Sequence, residues 1–355
     1  MSFDDYIPLL EKLSNALGPS GFEDEVREIV LTELKKLTKK VTIDTLGNVI
    51  GYHDGSGPKI GLFAHMDEVS LIITHIEKNG FLRFHTLGGI VPHALYSQKI
   101  IVITEKGKKI PGYIGIKAPH LFPLEERGKA IPIDQLFIDI GAESEEEVRD
   151  LGIREGCFAV FATKFTKLTK YRVMGKAFDD RVGLTVMLKV LERLKDEDVN
   201  LIVVGTVQEE VGLRGAHTAA WITEPDIALA LECTAAADIP GTPSHKMSTQ
   251  LGKGPAITIA DRSIVVSPKV IRLLIEAAKK AKVPYQFKEM PVGGTDAGII
   301  YISKKGALAG VVSCPGRYIH SPAAIIDLRD LDSMIKMITE FVKIASKTFK
   351  YWFLF

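Results

Sequence analysis

Cysteine, asparagine and glutamine are scarce in this chain of 355 residues, and neither a block of one charge sign nor a membrane-spanning apolar run occurs. Each shortage closes off a class of protein. The three cysteines, Cys157, Cys233 and Cys314, lie far apart with no C-x-x-C spacing, which excludes a disulfide framework and a thiolate zinc site. Lysine and arginine total 45 against 44 aspartates and glutamates, a formal charge of +1, so the electrostatic footprint of a nucleic-acid binder is missing. The opening MSFDDYIPLLEKLSNALG is acidic and amphipathic, unlike a secretory signal. We therefore expect a cytoplasmic location, with no nucleic-acid or membrane partner. Few amides with abundant lysine, glutamate and isoleucine is a bias that accompanies proteins from hot environments.

The length exceeds one ordinary domain and predicts a large core with a second, inserted or appended domain. Helical apolar spacing runs from Ile7 to Leu17 and again to about Leu37, with Ser20 or Asp24 placed to cap the second helix. VTIDTLGNVIGYH alternates around a Gly-Asn turn, and KIGLFAHMDEV is an apolar run ending in polar groups. From residue 70 to 162, short β-type runs separated by turn signals predict an inserted β-rich domain. Residues 1–69 and 163–355 then form the main domain. There helices over 180–194, 268–282 and 328–347 alternate with strands over 200–207, 227–231 and 307–313. That alternation predicts an α/β/α sandwich around a mostly parallel central sheet.

The polar residues collect where these strands stop. IGLFAHMDE delivers His65, Asp67 and Glu68; LIVVGTVQEE delivers Glu209 and Glu210; IALALE delivers Glu232; ALAGVVSCPGRYIH delivers His320. Asp179 and Asp180, in GKAFDDRVG, stand where a loop enters a helix. The carboxyl ends of strands in an open α/β sheet share one crevice. Alone, each has an ordinary reading: His65 as hydrogen-bonded structure, Asp180 with Arg181 as a helix-start charge or surface ion pair, Glu232 paired with a lysine, His320 as a solvated loop residue. Together they would bury uncompensated like charges unless a cation were present. Two imidazoles with several carboxylates and no thiolate suit zinc, cobalt or manganese, and the set is too large for one four-coordinate ion with an open position. A pair of divalent ions is the economical reading. Glu210 is then a ligand, and Glu209 is free to handle protons, since neighbours on an extended chain point to opposite sides.

The motifs AHMDEV, GKAFDDRVG, TVQEEVGLRGA, GGTDAG and RYIHSP, in this order, resemble those of the M42 metallo-aminopeptidases, often called TET for their tetrahedral assemblies. The resemblance implies His65 as ligand of one metal, Asp179 as the bridge between both, Glu210 and His320 as ligands of the other, and Glu232 as the last ligand. Aspartate is commoner in the family at this last position. It implies Glu209 as general acid/base and Asp67 as the carboxylate that orients His65, with Asp180 supporting. It further implies two Zn2+ or Co2+ ions per subunit, a PDZ-like dimerisation insert, short peptides as substrates and a tetrahedral dodecamer. The tail KYWFLF suits a subunit contact or packing on its own domain. Arg262, Arg317 and His245 are candidate pocket residues. GGTDAG reads as a close-approach loop or as a turn capped by Thr295 or Asp296. Two other readings compete: an endoglucanase-type glycoside hydrolase using the paired acids, and a non-catalytic scaffold whose insert adds a strand from a partner.

Overall fold

The computed structural model describes residues 3–121 and 129–349; the KYWFLF tail lies outside the described residues. The chain begins with α1 (Ile7–Asn15) and α2 (Asp24–Leu37), followed by β1 (Lys40–Ile43), β2 (Val49–His53) and β3 (Ile60–His65). α2 starts without a side-chain cap, because Ser20 is used elsewhere and Glu23 takes the cap position. The next six strands, β4 (Ser70–Ile76), β5 (Leu82–Leu87), β6 (Lys99–Ile103), β7 (Lys109–Gly115), β8 (Phe137–Asp139) and β9 (Phe158–Phe161), close into an antiparallel barrel, with the short α3 (Glu145–Asp150) before the last strand. The barrel has its own core, built on residues such as Leu71, Leu82, Ile100, Ile114 and Ile138.

The chain then returns to the main sheet through β10 (Thr166–Lys167), β11 (Arg172–Gly175), α4 (Phe178–Leu194), β12 (Leu201–Thr206), α5 (Arg214–Thr223) and β13 (Ile227–Ala235). It finishes with β14 (Ala256–Thr258), α6 (Pro268–Ala281), β15 (Gln286–Lys288), α7 (Ala297–Ile300), β16 (Leu308–Arg317), β17 (Ala324–Asp327) and α8 (Leu328–Thr348). The sheet order is β1-β2-β12-β3-β13-β16-β17-β11-β10, with β14 paired to β16 and β15 to β14. Its centre, β12, β3, β13 and β16, is parallel, while β1, β2, β17, β11 and β10 flank it antiparallel.

The central strands are apolar along their whole length because both faces are covered. Ile60, Leu62 and Ala64 face the larger core with Val203 and Leu229, under α1, α2, α4, α6 and α8. Phe63, Ile202 and Val204 face the smaller layer formed by α5 and α7. In α6 the buried stripe Val270, Leu273, Leu274, Ala277, Ala278 has the spacing of one helix face, and Ser267 caps the start by accepting from the Lys269 N–H. Because the four central strands run the same way, their carboxyl ends meet at one edge: His65 stands beside Thr206 in the ladder, and Glu232 beside Ser313. Fully buried apolar strands thus end in acids and imidazoles at a single rim.

Candidate metal centre

At that rim Asp179 sits between the two histidines. His65 Nε2 lies 3.3 Å from Asp179 Oδ1, and His320 Nε2 lies 3.3 Å from Asp179 Oδ2, so one carboxylate offers an oxygen to each side. Glu232 Oε2 is 3.8 Å from His65 Nε2, and Glu210 Oε1 is 3.7 Å from His320 Nε2. Two clusters result, His65 with Asp179 and Glu232, and His320 with Asp179 and Glu210. In each the donor atoms lie within 4.8 Å of one another. Glu209 belongs to neither; its Oε2 approaches His65 Nε2 at 4.0 Å. The Asp179–Asp180 peptide is cis.

The imidazoles are fixed by their far nitrogens. His65 Nδ1 donates to the Asp67 carbonyl oxygen at 3.2 Å and lies 3.4 Å from Asp67 Oδ1. His320 Nδ1 donates to the Gly89 carbonyl at 2.9 Å. An oxygen acceptor at Nδ1 selects the tautomer whose Nε2 lone pair points inward, the arrangement a metal-binding histidine needs.

Asp67 has no exposure and organises more than the ring. Its Oδ1 accepts from the Glu209 N–H at 2.9 Å; its Oδ2 accepts from the Glu210 N–H at 3.1 Å and from the Ser20 hydroxyl at 2.6 Å. Glu209 and Glu210 therefore diverge because a turn clamped by Asp67 carries them, after the left-handed backbone of Gln208, and strand alternation plays no part. Asp180 is buried and accepts from the His65 N–H at 3.2 Å and the Gly183 N–H at 2.8 Å. Glycine at 183 is required: a Cβ there would lie 2.3 Å from Asp180 Oδ2 and from the Leu231 carbonyl.

Charge follows from this packing. Burial pushes the Glu209, Glu232 and Asp180 carboxyls well above the usual range, and pushes Glu210 up to about 7, partly opposed by His320. Burial also works against Asp179, but its bonds to His320 and His65 hold it below the ordinary value. His320 is disfavoured as a cation by burial, yet the Asp179 contact and Glu210 raise it to about 10; His65 is likewise raised, by Glu209 and Asp179. Asp67, Asp179, Asp180, Glu209, Glu210, Glu232 and Asp296 outnumber the two imidazoles. This buried excess of hard oxygen donors, with two inward nitrogens and no thiolate among the clustered ligands, fits divalent cations.

Other sequence expectations part from the structure. Glu68 points away from the rim: its carboxylate accepts from Lys176 Nζ at 2.7 and 2.9 Å and from Arg181 at 3.1 Å, all three groups buried. Burial lowers the Lys176 ammonium to about 8. Arg181 is no surface partner of Asp180; it bonds the carbonyls of Leu13, Met66 and Asp67. Glu232 has no lysine partner among the described residues and joins the His65 cluster. Arg317 is occupied by a two-pronged contact with Asp238 at 2.8 and 2.7 Å, and neither it, Arg262 nor His245 lines the cleft. Asp296 opens α7 without capping it. Its Oδ2 accepts from the Thr206 hydroxyl at 2.6 Å, while Oδ1 is buried without a partner among the described residues. Burial pushes Asp296 up to about 6. Ser20, Gly89 and Thr206 were not foreseen as site residues: Ser20 carried a signal that suits a cap equally well, and a backbone acceptor such as Gly89 leaves none.

The chain is also similar to known proteins along most of its length. The family model described as M42 glutamyl aminopeptidase matches residues 47–337. A lysyl aminopeptidase of Pyrococcus furiosus is 37% identical over 332 residues, covering 93% of this chain and 94% of that protein. An aminopeptidase from the archaeon Desulfurococcus kamchatkensis superposes with a TM-score of 0.94 at 44% identity, covering 98% of this chain and 96% of that one. The TET1 peptidase of Pyrococcus horikoshii, described as assembling into a tetrahedron or a large octahedral shell, superposes with a TM-score of 0.85 at 35% identity, covering 95% and 99% of the two chains. With its histidines and acids gathered at one strand rim and its likeness to these enzymes running almost end to end, the chain belongs to the M42 family of aminopeptidases.

Proposed function

We propose that the protein removes N-terminal residues from short peptides with two divalent ions, Zn2+ or Co2+, held by His65, Asp179, Glu232, Glu210 and His320. The observation that carries this is the Asp179 carboxylate, whose two oxygens face two separate imidazole-carboxylate clusters. When bound, such ions polarise the scissile carbonyl and lower the pKa of the attacking water. Everything else falls to the chain. Glu209, buried beside the clusters but outside them, takes the proton of the attacking water and returns it to the departing amine. Asp67 keeps His65 oriented and holds the 209–210 turn by its two N–H bonds. The acidic rim supplies counter-charge for a free peptide amine, which restricts the chemistry to chain ends. A cleft of about 590 Å³ admits a short peptide.

A glycosidase would need a carboxyl on each side of a sugar ring and would leave both histidines without a task, whereas here each histidine faces carboxylates. Strand addition by a scaffold needs an open sheet edge, and the inserted barrel is closed. We assign residues 70–162 as the dimerisation insert and 1–69 with 163–355 as the catalytic domain. We further assign a tetrahedral dodecamer, by analogy with the TET1 tetrahedron and the dodecamer described for the same peptidase, and a cytoplasmic location. Among the described residues no helix is long and apolar enough to cross a membrane. The test is hydrolysis of leucine p-nitroanilide by purified protein before and after chelation. Activity should vanish with the chelator and return with zinc or cobalt; activity indifferent to chelation contradicts the reading.

A further inference from the structure

The cleft has one feature that the acid-base chemistry does not use. Besides the acids, it is lined by apolar Leu213, Met290, Val292 and Ile319, and by a single lysine, Lys288. Apart from His65 and His320, which face carboxylates, Lys288 is the one basic residue among the described lining residues. No ion pair or hydrogen bond engages its ammonium among the described residues. The side chain is half-buried and its backbone is anchored by pairing with β14. Lys288 pairs with Thr258 in the ladder, and Phe287 packs into the main core and edge-on against Tyr285. Gln286 ties down the strand by donating to the carbonyls of Gln250 and Gly254 at 3.0 and 2.7 Å and accepting from the Gln250 N–H at 2.9 Å. Successive strand residues point to opposite faces, so burying Phe287 sends Lys288 the other way, to the cleft wall.

A cation with no partner among the described residues, in a cleft otherwise rich in acids, complements a negative group on the ligand. We propose that Lys288 is a specificity-determining residue that binds a carboxylate of the peptide. The carboxylate belongs either to the side chain of an acidic N-terminal residue or to the free C-terminus of a short peptide. This rests on the aminopeptidase reading above, in which the amine of the same substrate faces the acidic rim.

The metal-loaded enzyme and its K288M, K288E and K288R variants are assayed on two matched pairs. Glutamyl against glutaminyl p-nitroanilide isolates the side-chain carboxylate, and Leu-Gly-Gly against its C-terminal amide isolates the terminal one. Leucine p-nitroanilide, with neither carboxylate, is the control. The expected result is a wild-type preference for the carboxylate member of one pair. That preference shrinks about tenfold in K288M, mainly through KM, as for loss of a hydrogen bond to a charged group. K288E inverts it, K288R retains it, and added salt weakens it in the wild type. Hydrolysis of the control stays within about twofold throughout, since nothing in it contacts the ammonium. Identical pair ratios in wild type and K288M overturn the proposal while leaving the aminopeptidase reading intact. Failure of the wild type on every substrate, the control included, overturns both.

Discussion

Replacing Asp67 by asparagine changes one atom at the residue that joins both halves of the site. The carboxylate accepts from the Glu209 N–H, the Glu210 N–H and the Ser20 hydroxyl, and flanks His65. Asparagine has one acceptor oxygen, so its NH2 must face either the Glu209 N–H or the pair formed by Glu210 and Ser20. One bond to a charged acceptor is lost, worth about 1.5 to 3 kcal/mol, and the others fall toward neutral strength, about 1 kcal/mol each. The lower desolvation cost of a buried amide offsets part of this. The expected net loss of stability is about 2 to 4 kcal/mol, with a loss of about 10- to 100-fold in metal affinity or turnover, the usual scale for removing an outer partner of a ligating histidine. Ser20→Ala is the control: it removes a single bond and leaves both N–H groups with their acceptors, so turnover should stay within a few fold. Chemical denaturation, metal titration and leucine p-nitroanilide kinetics measure all three quantities. An Asp67→Asn enzyme with wild-type metal affinity and turnover, or a Ser20→Ala enzyme equally damaged, would refute the reasoning.

Further outcomes follow from the same geometry. Glu209→Gln should bind metal as the wild type does but lose about 100- to 10,000-fold in kcat, as for removal of a general acid/base; metal analysis alongside steady-state kinetics separates the two effects. Glu68→Gln leaves the buried Lys176 and Arg181 cations without their shared counter-charge and should cost about 3 to 5 kcal/mol in denaturant unfolding; a change within 1 kcal/mol would show the trio to be dispensable. Asp330, in the first turn of α8, is pushed up by burial to about 6, although the N–H groups of Gly252 and Gly254 oppose the shift. Its folded form therefore holds a proton that the unfolded chain has released, and its stabilising contribution is lost as pH rises from about 4 to 6. The stability of wild type relative to Asp330→Asn should fall across that window by about 2 to 3 kcal/mol; a flat difference contradicts the shift.

The site was legible where chemistry and local pattern coincide. His65, Glu210 and Glu232 each follow an apolar run, and a buried strand that stops in an acid or imidazole is conspicuous in one dimension. The parallel centre of the sheet was legible for the same reason, since alternating helices and apolar strands leave few other arrangements. What escaped depends on contacts between distant segments. The pairing of Arg172 with Asp327 that makes the sheet's flank antiparallel joins short strands with little pattern of their own. Gly89 reaches His320 from the inserted barrel across most of the chain, and Thr206 at the end of β12 reaches Asp296 at the start of α7. Glu68 and Arg181 were misplaced because a charge beside a site residue such as Asp67 or Asp180 reads as part of the site or as surface, and only packing reveals a buried ion trio. Lys288 carried no signal, lying in a three-residue strand.

The most direct measurement is anomalous diffraction from crystals grown with zinc or cobalt. Two peaks are predicted at the strand rim, one among His65, Asp179 and Glu232 and one among His320, Asp179 and Glu210, both touching the Asp179 carboxylate. Absence of signal there, or metal bound only at other side chains, would contradict the assignment of these residues as a shared two-ion centre.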